Sequence, residues 1–381
     1  MKTLPKIIFV FTLSILLAHF AWGAETNNKK TLDPEMEKLI ASAEQGDAKS
    51  QACLAEFYLM GMNVDRNPAK ANDWLQKAAS QDNLRAKLVL AELETRDPEK
   101  HSSAINNIQE LADQHYAAAE EQVGLMYLQG GSDSKYPQNF TAALNWFHKA
   151  AKRNFPFAEA DLGLAYRYGW GVKPDLNRAR AWAKQAANNQ IDCAPDVVPL
   201  IQRLITINAI YPQSVLDGSR QGRVLVKMFN HNGKFTHPIL EKASGHKDID
   251  MAALKTMAVT PLPSWTGMGA SVILPVNLTQ AGIDPVLYSN YETKLYATIQ
   301  KAMVIPRHVL IYGSKGPDKA TASFKCLNGH AMDIKIVKSS NDTYEDAAAI
   351  AAIKKAQCPP TPQTFTGITM PFSFTLNFAL P

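Results

Sequence analysis

His231, His237 and His246 lie close in the chain to Asp248 and Asp250, all within the stretch from Met228 to Leu254. Imidazoles beside carboxylates are what a zinc-type site or an acid–base pair requires: a neutral ring nitrogen offers a lone pair, and a nearby carboxylate fixes its tautomer. Whether the five side chains can meet depends on the backbone that carries them. Asn232-Gly233 is a signal for a two-residue hairpin turn, so His231 is expected opposite Lys234 and His237 opposite Met228. Positions 231 and 228 differ by an odd number, which sends the two imidazoles to opposite faces unless a bulge shifts the register. His246 falls just before a helix, where Asp248 and Asp250 read as first-turn acids worth about 0.3–1 kcal/mol each against the helix dipole. The expectation is no metal site.

Other catalytic signatures are missing from the sequence. It holds no GxSxG, no phosphate-binding loop, no dinucleotide-binding glycine pattern and no HExxH. Of four cysteines none forms CxxC, and Cys/His metal spacing is absent. Cys326 and Cys358 share one C-terminal segment and are expected to form a disulfide. Cys53, among Ala52, Leu54 and Ala55, reads as a small buried residue, and Cys193 is left unplaced. The chain is therefore expected to be no enzyme, with no cofactor and no small-molecule substrate.

The elements that carry these residues follow a leader. Lys2 and Lys6 precede an apolar run from Ile7 to Ala21, and Ala21-Trp22-Gly23 supplies small residues for cleavage after Gly23, so 1–23 reads as a secretory signal. The run is shorter than the roughly 20 residues a membrane span needs. Export implies an oxidising compartment, where disulfides persist. With 381 residues the chain should hold more than one domain. Its formal charge of +5 is spread without basic runs, which argues against nucleic acid as a partner.

From Gly46 to about Gln190 the chain repeats itself. "LAEFYLMG" (54–61) aligns with "LGLAYRYG" (162–169), and the same trailer follows each: Lys70-Ala71, Trp74 and Ala78-Ala79, then Arg178-Ala179, Trp182 and Ala186-Ala187. "VGLMYLQG" (123–130) with "AALNWFHKAA" (142–151) is a third copy, its loop lengthened by "SDSKYPQ". Residues 84–116 form a degraded copy that keeps Ala86, Leu90 and Ala91 but loses the Tyr, Gly and Trp. Two helices per unit stack as a solenoid, with Ala at close contacts, Tyr and Trp filling between layers as packing residues, and Gly61 or Gly169 ending the first helix. This layout resembles Sel1-like repeats, relatives of tetratricopeptide repeats. The resemblance implies protein binding.

Past Pro199 two-residue alternation takes over. "GRVLVKM", the Asn232-Gly233 turn and "KFTHPIL" make a hairpin, "SGHKDIDMAALKTMA" a capped helix, and "SVILPVNL" (271–278) a strand whose Pro275 fits only an edge. The last 90 or so residues repeat that order: "ATASFKCL" (320–327), Asn328-Gly329, "MDIKIVKSS" (332–340), the helix "TYEDAAAIAAIKKA" (343–356) and "FSFTLNF" (372–378). Both segments read as ββαβ units. Tyr211-Pro212, Gly222 with Val224 and Val226, Gly233, Ala243-Ser244-Gly245, and Ile249-Asp250 with Ala252-Ala253-Leu254 make 206–279 resemble the C-terminal domain of TonB. Gly329, Ser339-Ser340, Ala347-Ala348 and Pro359-Pro360 make 288–380 similar to the same family, closer to TolA.

The expected architecture is an α-solenoid over 24–200, then two small ββαβ TonB C-terminal-like domains over 206–280 and 288–381. The resemblance implies a non-catalytic periplasmic adaptor of a Gram-negative cell, binding outer-membrane receptors or other envelope proteins by β-augmentation, with a link to energy transduction or transport. The edge residues expected to meet a partner are Val272, Leu274 and Val276 in one domain, and Phe372, Phe374, Leu376 and Phe378 in the other. The alternative is a secreted Sel1-type scaffold whose TonB-like domains serve as attachment modules.

Overall fold

The computed structural model describes residues 34–130, 135–216, 219–231, 234–264, 271–279, 295–299, 301–303, 319–327, 330–356, 358 and 370–377. They fall into two compact units, one reaching to 209 with 225–242 and 254–275, the other holding 210–224, 243–253 and 276 onward.

The first unit is built on helices α1 (Pro34–Glu44), α2 (Ala48–Met60), α3 (Pro68–Ala79), α4 (Leu84–Glu94), α5 (His101–Asp113), α6 (Ala117–Gln129), α7 (Phe140–Ala151), α8 (Pro156–Tyr168), α9 (Leu176–Asn188) and α10 (Val197–Asn208). Side-chain caps start many of them: Asp47, Asn67, Asn83, Asn139 and Asp175 each accept a hydrogen bond from a backbone N–H of the first turn. Gly61 and Gly169 end α2 and α8 in the left-handed conformation, with φ of 70° and 78°, where a Cβ would be strained.

Consecutive helices pack as pairs: α2 with α3, α4 with α5, α6 with α7, and α8 with α9. Alanines make close approach possible: Ala52, Ala55, Ala71, Ala78, Ala86, Ala158 and Ala183 are fully buried. Gly124 of α6 goes further, since a Cβ there would stand 2.5 Å from the Phe147 ring of α7. In the degraded copy Ile105, Ile108 and Leu111 of α5 fill the core in place of the missing aromatics. The repeat tryptophans 74, 146 and 182 are half-buried rather than central, and Lys77 and Lys149 lie over two of the rings at 4.2 and 3.5 Å.

Cys53 is joined to Cys193 with a Cα–Cα distance of 5.8 Å, which corrects its reading as a plain core residue and places Cys193. The bridge ties α2 to the turn that leads into α10 across 140 residues of sequence.

After the short α11 (Gln213–Leu216) come β1 (Gly222–His231), β2 (Lys234–Lys242), α12 (Lys247–Val259) and β3 (Ser271–Leu278); then β4 (Lys319–Leu327), β5 (His330–Lys338), α13 (Thr343–Lys355) and β6 (Met370–Asn377). The two sheets share one strand order, β2-β1-β3 and β5-β4-β6. Their hairpins are superposable in register. Leu225↔Lys242, Lys227↔Ile239, Phe229↔Thr236 and His231↔Lys234 in the first become Thr321↔Lys338, Ser323↔Lys335, Lys325↔Met332 and Leu327↔His330 in the second, a constant offset of 96 positions. Even the two register shifts recur at matching places.

Inward residues are apolar in each copy. Val224, Val226, Met228, Ile249, Ala253 and Met257 are buried in one, and Ala320, Ala322, Phe324, Ala349, Ile353 and Leu376 in the other. Cys326 and Cys358 are joined within that second core, 6.1 Å apart at Cα.

Candidate functional site

The histidine stretch is held by its backbone. His231 pairs with Lys234 at the hairpin tip, but the register then shifts: one residue, Met228, lies between the pairs Lys227↔Ile239 and Phe229↔Thr236, against two, His237 and Pro238. This corrects the simple register in which His237 alone faced Met228. Parity along β2 is broken by a bulge, so strand alternation does not by itself separate the histidines.

The aspartates have structural work. Asp250 accepts from the Ser244 N–H and Oγ, both at 2.7 Å, and the Ser244 hydroxyl in turn binds the backbone of His246. Asp248 accepts from Ser214 Oγ and from Arg220 Nη1 at 3.2 Å, and the Ser214 bond leads in holding its carboxyl below the usual range. The second copy repeats the knot 96 positions on: Asp346 accepts from Ser340 N–H and Oγ, both at 2.9 Å. Burial of Asp346 raises its carboxyl, but bonds from Ser339 and Ser340 outweigh that and leave it lowered. Among the described residues no group of three or more His, Cys, Asp or Glu is arranged to hold a metal ion.

Among the described residues β3 and β6 each lie at one end of their sheet order, with β2 and β5 at the other. Val272, Leu274 and Val276 are at most 3 % exposed, and Leu376 is fully buried. Their side chains serve their own cores, so a strand added at these edges would meet backbone rather than the side chains expected to contact it. Phe372 and Phe374 sit in register opposite Phe324 and Ala322, and Phe378 lies outside the described residues.

Sequence reasoning missed a third feature. The helical unit encloses a cavity of about 470 Å³ walled by α2, α4, α6, the start of α8 and the segment around 190–203. Two buried guanidinium networks form its wall. Arg85 donates to both Glu56 oxygens at 2.5 and 2.6 Å and to Asp196 at 2.7 Å. Arg203, only 5 % exposed, donates to Asp161 and Glu121, both at 2.9 Å, and lies 4.7 Å over the Phe157 ring.

Carboxyls outnumber these two cations. Burial, aided by Glu56 and Asp196 and opposed by Arg85 and Arg96, pushes Glu92 up to about 8. Burial and the neighbouring Asp161 likewise raise Glu121, against the pull of Arg203. Gln122, 9 % exposed, donates its amide to Glu121 but its carbonyl oxygen has no donor. Arg66, Arg96 and Arg153 also line the cavity, so the wall mixes cations with carboxyls, and its described residues include no activated nucleophile. A signal was present in the sequence: the repeat positions two after the anchors Leu54 and Leu90 are both acidic, Glu56 and Glu92, on otherwise apolar helix faces.

Comparison with known proteins agrees with this architecture. The Sel1 repeat family model matches residues 48–83, 117–155 and 156–190. The TonB C terminal model matches 288–378. The chain thus carries three Sel1 repeats and a TonB C-terminal domain. Residues 84–116 fold as a further helix pair, and 222–278 share the strand order of the matched domain. No curated protein matches the chain. Similar solved structures include a Sel1 repeat protein from Oxalobacter formigenes, 26 % identical over 47 % of this chain and 71 % of that one, with a TM-score of 0.33. A protective antigen of uropathogenic Escherichia coli with an SLR fold is 27 % identical over 45 % and 40 %, TM-score 0.30. An immunity protein from Pseudomonas aeruginosa is 16 % identical over 56 % and 74 %, TM-score 0.35.

Proposed function

We propose that a chain assembled from Sel1 repeats and a TonB C-terminal domain is a non-catalytic, protein-binding adaptor of the Gram-negative periplasm. The observation that carries the reading is the outer position of β6, which among the described residues pairs with β4 on one side in the order β5-β4-β6. An outer strand presents unpaired N–H and C=O groups to any extended segment of suitable length, and strand addition draws its affinity from them. Each of these strands lacks one donor, Pro275 within β3 and Pro371 near the start of β6, so the stretch from Phe372 to Asn377 is the longer run of β6 with every N–H in place. The solenoid then supplies a second surface through its groove.

The test is chemical crosslinking in an envelope fraction with the full chain and with a variant carrying Ser373→Lys and Thr375→Lys, since charge on an edge strand blocks strand addition. The adaptor reading expects a captured protein that the variant loses while its melting is unchanged. Equal capture by both would remove β6 from the account. N-terminal sequencing of the exported protein is expected to begin after Gly23; a retained leader in the membrane fraction would favour an anchored transducer instead. Among the described residues no helix is long and apolar enough to cross a membrane.

The groove gives specific support to a second reading, a secreted scaffold that gathers proteins along the solenoid and uses the sheet domains for attachment. It differs in where capture occurs: the lysine variant would retain its partners, and groove substitutions would lose them.

A further inference from the structure

We propose that the open face of the second sheet docks on an anionic membrane surface, drawn there by the charge of lipid headgroups. The proposal goes beyond strand addition at β6 and does not depend on it.

Although the chain has no basic run, its positive charge is unevenly placed. Residues 288–381 carry ten Lys and Arg against six Asp and Glu, which leaves thirty against twenty-nine in the rest. Almost the whole formal charge of +5 therefore belongs to the last quarter of the chain. Charge asymmetry of this kind points to a polyanionic partner such as a membrane.

The fold then sorts these charges. Along β4, Ala320, Ala322, Phe324 and Cys326 are buried in the core they share with α13, so Lys319, Thr321, Ser323 and Lys325 take the other face. Residues directly opposite each other in a ladder share a face, which sets Lys338 beside Thr321, Lys335 beside Ser323 and Met332 beside Lys325. Lys319, Met332, Lys335 and Lys338 are exposed, so this face meets solvent. The carboxyls go elsewhere. Asp346 accepts from Ser339 and Ser340, Asp342 accepts from the Tyr344 N–H, and Glu345 is fully buried. Among the described residues of this domain Asp333 alone reaches the open face, 3.2 Å from Lys325, so four cations there meet one acid.

Spacing favours an extended anionic surface over one small anion. Lys319 and Lys325 lie near the two ends of β4, about 20 Å apart at roughly 3.4 Å per residue. Lysine is also a point charge, without the fork by which arginine grips a single carboxylate or phosphate. Four such charges spread over a sheet face each meet a separate headgroup of a bilayer. Each lysine close to an anionic bilayer strengthens binding about fivefold.

The test is co-sedimentation of the full chain with vesicles of phosphatidylglycerol and with vesicles of phosphatidylcholine. The chain is expected to bind the anionic vesicles at least tenfold more strongly, and to lose that preference as salt screens the exposed charges. Lys335→Gln/Lys338→Gln should lower binding about 25-fold, at about fivefold for each lysine, with melting unchanged. Lys173→Gln/Lys184→Gln, which removes the same charge from exposed sites of the helical unit, should leave it unaltered. Asp333→Asn should tighten binding, since it frees Lys325 and asparagine suits the φ of 54° at that position. Equal binding to the two lipids, or equal losses from the two lysine pairs, would overturn the proposal. Binding to polyglutamate or to a DNA duplex without binding to the vesicles would overturn it too, and would give the face to another polyanion. Binding to none of these would also overturn it, leaving the lysines to keep the edge of β5 from pairing with another strand. Crosslinking from Thr375 is expected to persist in Lys335→Gln/Lys338→Gln, so this proposal and the protein-binding role fail separately.

Discussion

Replacing Cys53 and Cys193 together by serine should destabilise the helical unit far more than a typical substitution. The bridge closes 140 residues, so the chain-entropy relation gives about 5 kcal/mol at 25 °C, against about 4 kcal/mol for the 32-residue span of Cys326–Cys358. The two figures are similar, but the assay separates them by location. Four of the six tryptophans, at 74, 146, 170 and 182, lie in the helical unit, so tryptophan fluorescence in urea follows that unit. With a slope of about 2–3 kcal/mol/M, losing the first bridge should lower the midpoint by about 2 M. Losing the second should leave the tryptophan transition in place and move instead a far-UV transition with strand character. A change under about 1 kcal/mol for Cys53→Ser/Cys193→Ser, or an equal shift of the tryptophan transition by the other pair, would refute the reasoning that these bridges staple separate units.

Arg203→Met should cost about 3–5 kcal/mol at neutral pH, because it strands Asp161 and Glu121 without their cation; denaturation at pH 5 and pH 8 should show a smaller loss at pH 5, where Glu121, raised by its burial, takes up a proton. Glu345 is fully buried with no hydrogen bond to either carboxylate oxygen, at the position where the first copy places the buried Ile249, so Glu345→Ile should stabilise the second sheet domain by about 1–3 kcal/mol in thermal melts. For Glu92 burial lifts the carboxyl from the ordinary 4.5 of a glutamate to about 8: stability linked to its proton is complete below about 4.5 and lost as pH rises through about 8. Glu92→Gln should therefore match the parent in acid and gain on it up to pH 8, by on the order of a few kcal/mol, as urea midpoints across that range will show.

Periodicity made most of the fold legible. The Leu, Tyr, Gly, Lys-Ala, Trp and Ala-Ala spacing is a consequence of two helices packing per unit, and the Asn-Gly turns between alternating runs locate both hairpins. What escaped was long-range or local in ways spacing does not encode. Cys53 and Cys193 are joined only because three helix pairs, α4 to α9, curve between them. The bulge at His237 and Pro238 breaks an alternation that the residues flanking it keep, although a proline within a strand is itself a bulge signal. The groove arises from acids on different helices, each unremarkable in its own segment, whose meaning depends on Arg85 and Arg203 reaching the same cavity. For the edge strands, alternation identified the apolar face of each correctly, yet that face belongs to the core: Val272, Leu274 and Val276 are buried, and what an edge offers a partner is its backbone.

The central claim, that the chain holds another protein at the outer side of β6, is tested most directly by placing a photocrosslinking amino acid at Thr375 in the full chain and irradiating intact cells. The account predicts a discrete crosslinked envelope protein that disappears when Ser373→Lys is added. Absence of any crosslink at position 375 alongside a strong one from Arg96 at the groove would contradict it, and would move the binding function to the solenoid.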